Sequence, residues 1–356
     1  MSRGNESDIL EMVRMVAPGT PLREGLDNVL HAHGGALIVL DEGPEVGSIV
    51  DSGFPLDIPF APASLYELSK MDGAIVLSAD LKRIRKANVH LVPDSSILST
   101  ETGIRHRTAE RAAKATGTLL IAISQRRSVI SLYRGQLKHV LEEPALLIGK
   151  ANQALATTVR YRHTFNDMVR RLTMLEFEED VSAQDVALVV QQAAILLSVK
   201  VEIDRYVAEL GSEGRLIGIQ LHELIGGVEA EALLVLRDYA ENALSREMAA
   251  ERLAELADRD SDDILNTEWL CRFLHLGPDP DHPLVGRGIR ILSRLPRLPD
   301  GVIGHLVDHF GTFSRIQAAN LEQLDQVEGV GEARARAIQS GLSRLQEDAF
   351  AASGRI

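Results

Sequence analysis

Residues 101–117, with the sequence ETGIRHRTAERAAKATG, place two arginines and a histidine just after a glycine. A helical pattern begins after Gly103, and the free N–H groups at a helix start attract anions. Arg105 and Arg107 are two positions apart, so they cannot share a helix face and their guanidinium groups must diverge. Diverging guanidinium groups and the nearby Thr108 hydroxyl match a triphosphate, whose oxygens point in several directions. The alternative is a solvated basic turn that pairs with neighbouring glutamates.

Two further clusters carry residues suited to a nucleotide. In Asp72-Gly73-Ala74, which leads into the apolar run AIVLS, the carboxylate could bind Mg²⁺ or Mn²⁺ and the small residues leave room for a base or sugar. An Asp-Gly pair on its own is commonly only a turn. The segment Ser124-Gln125-Arg126-Arg127 lies at the end of the apolar run TLLIAIS and supplies donors where a strand leaves its sheet. The three clusters converge if these strand ends meet on one side of the sheet.

The charge distribution indicates an anionic ligand for the N-terminal part of the chain. The 356 residues carry a net charge of −13, but residues 60–140 contain 13 Lys and Arg against 6 Asp and Glu, a local charge of +7. A basic segment in an acidic chain is typical of a protein that binds an anion locally and stays soluble through its remainder.

Composition excludes several other classes of protein. With 45% apolar and 25% charged residues, the chain is expected to be globular, in two or three domains. The single cysteine, Cys271, excludes an internal disulfide and a multi-cysteine zinc cluster. The N-terminus lacks the apolar core of a signal peptide, and the most apolar run, residues 186–201, contains polar residues and is too short to span a bilayer. We therefore predict a cytoplasmic protein.

Short apolar runs alternate with helical patterns over residues 1–140, which predicts an α/β domain around a mixed sheet. The predicted strands are residues 35–42, 73–80, 118–124 and 128–135. The predicted helices are residues 61–70 and 106–117, and Gly117 is the expected C-cap of the second helix.

From about residue 144 the pattern becomes almost entirely helical. Residues 145–275 contain no proline, and the segment Ser182–Gly211 begins with a capping-box-like pattern and ends at a glycine. Prolines return at residues 277–288, a linker by composition. We predict three domains: an α/β nucleotide-binding domain at 1–143, an all-α spine at 144–283 and a C-terminal helical domain at 284–356.

The C-terminal domain carries a second candidate site for phosphate. Gly329-Val330-Gly331 forms a turn that leads into a helix, so free N–H groups at the helix start could bind a phosphate oxygen. Arg334 and Arg336 follow within the first turn and a half and could contact the same nucleic-acid strand. The alternative is a glycine-bearing loop between packed helices.

The preceding turn, residues 296–301, departs from this pattern. It has Arg297 and Pro299 where a paired hairpin would carry glycines, and a proline removes a donor N–H group. Residues 284–356 contain 9 arginines and 8 acids, a nearly even balance. We therefore expect modest, salt-sensitive DNA binding that does not depend on base sequence.

Together these motifs resemble a known family. Asp-Gly-Ala at 72–74 and Arg-His-Arg at 105–107 are the hallmarks of the diadenylate cyclase domain, and both are intact at the expected separation. The turn at 329–331 resembles the helix–hairpin–helix module of DNA repair and recombination proteins, which holds DNA by its backbone. The order of the three regions resembles the DisA family of bacterial DNA integrity scanning proteins.

The resemblance implies an enzyme that condenses two ATP into cyclic di-AMP and two pyrophosphates. It implies that Asp72 binds Mg²⁺ or Mn²⁺ and helps to activate a ribose 3′-hydroxyl, and that Arg105, His106 and Arg107 complete the catalytic residues. The nucleotide-binding residues that it implies are Gly73, Ala74, Leu91, Gly103, Ile104, Arg105, His106, Arg107, Thr108, Ser124 and Arg127. It also implies branched DNA as a partner, a homo-octamer and a location at the nucleoid.

The chemistry itself predicts an assembly of more than one subunit. One phosphate cradle holds one ATP, whereas the reaction joins two, so two domains must meet face to face. A DNA-binding scaffold whose N-terminal domain only senses ATP stays open as an alternative. A nucleotidyltransferase that acts on DNA ends is disfavoured, because nothing in the sequence indicates the paired metal-binding carboxylates that such enzymes use.

Overall fold

The computed structural model of the chain describes residues 3–40, 43–240, 244–259 and 261–351. The chain divides into two compact units. The first contains Met1–Gln153 and Ile203–Ile219, and the second contains Ala154–Glu202 and Gln220–Ile356. Two long helices, α6 (Pro144–Glu178) and α7 (Ala183–Leu210), contribute residues to both units. The division into three domains at residues 143 and 283 stays a prediction.

A mixed sheet organises the first unit. Its strands are β1 Ala36–Leu40, β2 Phe54–Pro59, β3 Ala74–Leu77, β4 Arg83–Val89, β5 Leu119–Ser124, β6 Val129–Arg134 and β7 Leu137–Val140. The helices that precede α6 are α1 Arg3–Met15, α2 Pro21–His31, α3 Pro44–Gly47, α4 Pro62–Ser69 and α5 Ile104–Thr116. Within the described residues the seven strands follow the order β2-β4-β3-β1-β5-β6-β7, in which β1 and β3 are parallel and the other neighbours antiparallel.

The sheet is buried on both faces at its centre, because successive side chains of a strand point to opposite sides. Ala36, Ile38 and Leu40 of β1 pack in one apolar layer with residues of α1, α2 and α4. Leu37 and Val39 pack in the other layer, to which α5 contributes only alanines. Small side chains let α5 lie close to the sheet, which positions the start of this helix.

The strands and helices predicted for this unit are confirmed. Residues 35–42 contain β1, 73–80 contain β3, 118–124 contain β5, 128–135 contain β6, 61–70 contain α4 and 106–117 overlap α5. Residues 41–42 of the first predicted strand lie outside the described residues. Gly117 is the C-cap of α5, in the left-handed conformation with φ of 69°. Strands β2, β4 and β7 are additional to the prediction, because exposed or half-buried side chains interrupt their apolar pattern.

The remainder of the described chain is helical apart from one short strand pair, as the sequence predicted. Its helices are a 3₁₀ turn Gly211–Gly214, α8 Arg215–Ile225, α9 Val228–Tyr239, α10 Arg246–Ala257, α11 Ser261–Leu265, α12 Thr267–Phe273, α13 Ile289–Leu292, α14 Asp300–Phe310, α15 Phe313–Ala318, α16 Leu321–Asp325 and α17 Glu332–Ala351. The strand pair joins β8 (Val181–Ser182) to β9 (Pro283–Leu284). The segment 277–288, a linker by composition, is therefore anchored by hydrogen bonds.

One helical stretch, residues 183–239, contains a window apolar enough to cross a membrane by length and composition, with a mean hydropathy of 1.8. More than half of that window, 56%, is buried within the protein, and core helices of soluble proteins pass the same test. Gln191 and Gln192, two polar residues of the stretch, are buried and donate to the carbonyl oxygens of Ile264 and Tyr161. Both contacts lie within the protein, as in a core helix.

Candidate functional site

One cavity of about 620 Å³ in the first unit collects most of the residues that the sequence analysis selected. It is lined by Leu37, Gly73, Ala74, Val89, His90, Leu91, Gly103, Ile104, Arg105, His106, Thr108, Ser124, Gln125 and Arg126. A volume of this size suits one small-molecule ligand. The start of β3, the start of α5 and the end of β5 thus meet at one place.

The start of α5 forms one wall of this cavity. Gly103 is the N-cap and offers no side chain to the helix, and the N–H groups of Ile104, Arg105 and His106 have no hydrogen-bond partner among the described residues. The next N–H group, that of Arg107, donates to the Gly103 carbonyl at 2.8 Å. Three free donors at the positive end of a 13-residue helix form an anion site.

The two arginines of this turn diverge. Arg105 is half-buried and lines the cavity, and it lies so close to Gly35 that a Cβ atom there would come within 2.3 Å of its Nη1 atom. Arg107 is exposed, donates from Nη2 to the Thr102 carbonyl at 3.1 Å and does not line the cavity. Gly35 therefore makes room for the Arg105 guanidinium. This glycine is not among the site residues predicted from the sequence, where its only signal is its place directly before an apolar strand.

The glutamates near this turn bind other side chains. Glu101 pairs with Lys138 at 2.5 Å, and Glu110 pairs with Lys114 at 2.8 Å. Among the described residues, neither glutamate forms an ion pair with the two arginines of the turn. The alternative of a basic turn neutralised by its neighbours is thus not supported.

His106 is buried, lines the cavity and belongs to a chain of hydrogen bonds. Its Nδ1 atom is 3.0 Å from the Tyr133 hydroxyl, which donates to Glu101 Oε1 at 2.8 Å. Lys138 Nζ lies 2.5 Å from the same Oε1 atom. The Nε2 atom of His106 has no hydrogen-bond partner among the described residues. Tyr133 and Lys138, which come from β6 and β7, are not among the site residues predicted from the sequence.

Burial and charge set the protonation states of His106, Tyr133 and Glu101 in this hydrogen-bonded chain. Burial lowers the pKa of His106; the charge of Glu101 opposes this shift, whereas that of Arg127 adds to it. Burial acts to raise the pKa of Glu101, but hydrogen bonds from Lys138 and Tyr133 hold it below its ordinary value. Burial, together with the Glu101 carboxylate, raises the pKa of Tyr133. At neutral pH, Glu101 is therefore ionised, Tyr133 keeps its proton and His106 is neutral.

Asp72 is exposed and directly precedes the cavity-lining Gly73, although it is not itself among the lining residues. Gly73 has φ of 91°, and a Cβ atom there would lie 2.8 Å from the Val89 carbonyl oxygen, so the position requires glycine. No three His, Cys, Asp or Glu side chains of the described residues form a metal cluster. A divalent cation at Asp72 would therefore share ligands with a bound phosphate group, as Mg²⁺ commonly does.

The end of β5 forms another part of the cavity. Ser124 is buried and lines it, and its Oγ atom accepts a hydrogen bond from the Arg127 N–H group at 3.2 Å. Gln125 and Arg126 also line the cavity, whereas Arg127 does not. Of the two arginines in the segment 124–127, the structure thus places Arg126 at the cavity, whereas the family resemblance implied Arg127. The Arg127 charge acts on the buried His106.

A second candidate site is a groove of about 820 Å³ beside α17 in the second unit. The arginines that line it are Arg294, Arg297, Arg334 and Arg344. The N–H groups of Gly331, Glu332 and Ala333, at the start of this 20-residue helix, have no hydrogen-bond partner among the described residues. Positive charge beside free helix-start donors suits a phosphate backbone.

The residues selected from the C-terminal turn have different places in the structure. Gly331 and Arg334 line the groove. Gly329 has φ of 80° and accepts a hydrogen bond from the Arg334 guanidinium at its carbonyl oxygen. Val330 is buried, and its N–H group is bonded within the turn, so it belongs to the core. Arg336 is exposed, lies outside the groove and pairs with an acid of its own helix.

Known proteins resemble this chain over nearly its whole length. Family models described as DisA bacterial checkpoint controller nucleotide-binding and linker region match residues 23–137 and 141–281. The DNA integrity scanning protein DisA of Symbiobacterium thermophilum is 50% identical over 96% of this chain and 97% of its own length. Proteins of the same name from Acetivibrio thermocellus and Carboxydothermus hydrogenoformans are 45% and 49% identical, over 100% and 95% of this chain and 99% and 97% of their own lengths. All residues that line the 620 Å³ cavity fall within the first matched range.

Proposed function

The chain belongs to the DisA family, and from this premise we propose that its first unit is a diadenylate cyclase that makes cyclic di-AMP from two ATP. The cavity at the start of α5 carries the proposal, because it combines free helix-start donors, the Arg105 guanidinium and the small residues Gly73 and Ala74. In each of two steps a 3′-hydroxyl oxygen of one nucleotide bonds to the α-phosphorus of the other. The hydroxyl proton is released to solvent as this bond forms, and the bond from that phosphorus to the leaving pyrophosphate breaks.

Each part of the cavity has a role in this proposal. The α5 N–H groups, Arg105 and Thr108 bind the phosphates, so that charge neutralisation and alignment supply most of the catalysis. Leu91 and Ala74 contact the adenosine, and Arg126 lies at the end of the cavity that holds the phosphates. Asp72 would hold Mg²⁺ or Mn²⁺ together with the phosphates, and such an ion neutralises charge on the triphosphate when bound.

The proposal includes a second copy of the chain that faces the first. A cavity of about 620 Å³ has room for one nucleotide, whereas the reaction consumes two. Ile104, which lines the cavity, is 83% exposed, and Leu98 of the preceding loop is 86% exposed. Large apolar side chains exposed at the edge of a site are typical of a surface that another subunit covers. We include the homo-octamer of the family in the proposal.

We further propose that α13–α14 and α16–α17 form paired helix–hairpin–helix units that bind the DNA backbone. Support comes from the groove beside α17, with its arginines and the free N–H groups that begin at Gly331. Backbone contacts do not distinguish base sequence, so branched and linear DNA would differ through shape. Binding of this kind places the protein at the nucleoid in the cytoplasm.

The test of the cyclase is chromatographic. Purified full-length protein is incubated with ATP and either Mg²⁺ or Mn²⁺, and the nucleotide product is identified. We expect cyclic di-AMP from the unchanged chain and from Asp8→Asn, which alters an exposed acid of α1. Asp72→Asn should abolish the product and spare DNA binding. Absence of any cyclic product with either metal would instead favour an ATP-sensing DNA-binding scaffold.

A further inference from the structure

Tyr133 and Glu101 lie behind the cavity wall and have no role in the proposed reaction. The Tyr133 hydroxyl is 2.8 Å from Glu101 Oε1 and 3.0 Å from His106 Nδ1, so it links the two side chains. All three side chains are shielded from solvent, with exposures of 1% for Tyr133, 5% for His106 and 7% for the Glu101 side chain. A buried chain of this kind has a defined hydrogen-bond direction.

Donor and acceptor counting gives that direction. The Glu101 carboxylate is ionised and also paired with Lys138, so it can only accept, and the Tyr133 hydroxyl must use its single proton to donate to it. The Tyr133 oxygen then has only lone pairs left for His106. The Nδ1 atom must therefore carry a proton and donate. In a neutral imidazole this leaves Nε2 unprotonated, and Nε2 is the atom without a partner among the described residues.

We propose that Glu101 and Tyr133 are positioning residues that hold His106 as the Nδ1-protonated neutral tautomer, so that its free Nε2 atom presents an unprotonated lone pair to the nucleotide cavity. This inference rests on the proposed cyclase function and deepens it. An acceptor nitrogen cannot bind a phosphate oxygen, which is itself an acceptor. His106 thus differs in role from Arg105.

The charges around His106 come from several elements. Glu101 precedes α5, Lys138 lies on β7, Arg127 follows β5 and Arg105 lies on α5 itself. The three cations favour the neutral imidazole, whereas the Glu101 carboxylate favours the charged form. Because the pKa of His106 is lowered in the folded protein, the neutral form is complete above the ordinary histidine range. It is lost only as the pH falls through the lowered value.

Two conservative variants test the kinetic consequence. Tyr133→Phe removes the acceptor for Nδ1 and should lower kcat about tenfold, the usual effect of one buried hydrogen bond. The KM for ATP should change less than kcat, since the groups that bind the phosphates are untouched. Glu101→Gln removes the charge that raises the pKa of His106, so the acid limb of the rate profile should move to lower pH.

The matched control is Tyr239→Phe, which removes a comparable buried hydroxyl that donates to Glu176 Oε1 at 2.9 Å in the second unit. It should keep the wild-type kcat. If Tyr133→Phe keeps the wild-type kcat as well, or if Glu101→Gln leaves the acid limb in place, the positioning role is overturned. Thermal melting of each variant shows whether a loss of rate reflects a loss of folded protein.

A spectroscopic test needs no catalytic activity. Full-length protein with ¹⁵N-labelled histidine contains 11 imidazoles, and the His106 signals are those that disappear in His106→Gln. At neutral pH we expect the shifts of a neutral ring protonated at Nδ1, and loss of that single tautomer in Tyr133→Phe. An Nε2-protonated or charged ring would overturn the inference even if the protein makes cyclic di-AMP. Conversely, if His106 shows the expected tautomer but the protein makes no cyclic di-AMP, only the cyclase proposal is refuted.

Discussion

Each of the two units buries a polar network, and the two networks differ in how completely their atoms are paired. In the second unit Arg290 is fully buried and bonded through all three guanidinium nitrogens: it binds Glu176 through Nε and Nη2, Glu231 through Nη1 at 2.8 Å and Thr173 through Nη2 at 2.9 Å. In the first unit the network ends at His106, whose Nε2 atom has no partner among the described residues.

The difference separates a structural network from a binding site. Burying a charge costs free energy unless partners replace water, and Arg290 has such partners from α6 and α9. A buried acceptor without a partner retains its desolvation cost until a ligand supplies a donor. The first unit therefore keeps an unsatisfied atom where a ligand is expected, and the second uses its network to fix helices.

The largest expected effect is on the stability of the second unit. Arg290→Met leaves Glu176 buried with its main cation removed, and breaking a buried ion pair in this way lowers the free energy of unfolding by about 3–5 kcal/mol. Urea unfolding followed by circular dichroism measures the change. The control, Arg336→Met, removes an exposed pair with Glu332 and should cost less than about 1 kcal/mol. Equal effects of the two variants would contradict the structural role of the network.

A smaller effect is expected on nucleotide affinity in the first unit. In Gly35→Ala the new Cβ atom would lie 2.3 Å from Arg105 Nη1, so the flexible guanidinium must move while the backbone stays in place. We expect about tenfold weaker binding of 3′-deoxy-ATP, which cannot cyclise, because one charge-assisted hydrogen bond is lost. Calorimetric titration measures the affinity. Gly47→Ala, whose Cβ atom meets nothing within 4 Å, should bind as the wild type does. Loss of affinity in both variants would mean that Arg105 is not the cause.

The elements that could be predicted from the sequence are those whose signals lie within one short segment. The central strands β1, β3, β5 and β6 are apolar because both faces are buried, and the start of α5 follows from Gly103 and the basic residues after it. Their signals lie within a few residues of one another. The three additional strands carry half-exposed or charged side chains, so their pairing depends on neighbours in the sheet.

The site residues that could not be predicted are positioned by contacts with residues far away in the sequence. Tyr133 is 27 residues from His106, and only the pairing of β6 in the sheet brings it to the end of the imidazole. Gly35 reaches Arg105 through the arrangement of β1 and α5 in the same way. The ion pair of Arg290 spans 114 residues. No spacing rule connects positions so far apart, whereas the motifs at 72–74 and 105–107 are short and contiguous.

The smallest predicted effect concerns an unsatisfied group at the surface of the second unit. The Gly331 N–H group has no hydrogen-bond partner among the described residues and precedes α17, so a phosphate oxygen is the expected acceptor. Gly331→Pro deletes this donor and should weaken binding of a labelled four-way DNA junction about three- to tenfold, the effect of one hydrogen bond.

Gly331→Ala is the matched control, because it keeps the N–H group and its Cβ atom meets nothing within 4 Å. Fluorescence anisotropy at one fixed salt concentration measures both affinities, and the cyclase rate without DNA should be equal in both variants. If alanine weakens binding as much as proline, the space at residue 331 matters and the donor does not. If neither variant weakens it, the junction is held elsewhere. Only a loss of affinity confined to Gly331→Pro assigns the free N–H group to a ligand. In that case an unsatisfied polar group marks a binding site in the second unit, as the free Nε2 atom of His106 does in the first, whereas the bonded Arg290 marks a structural network.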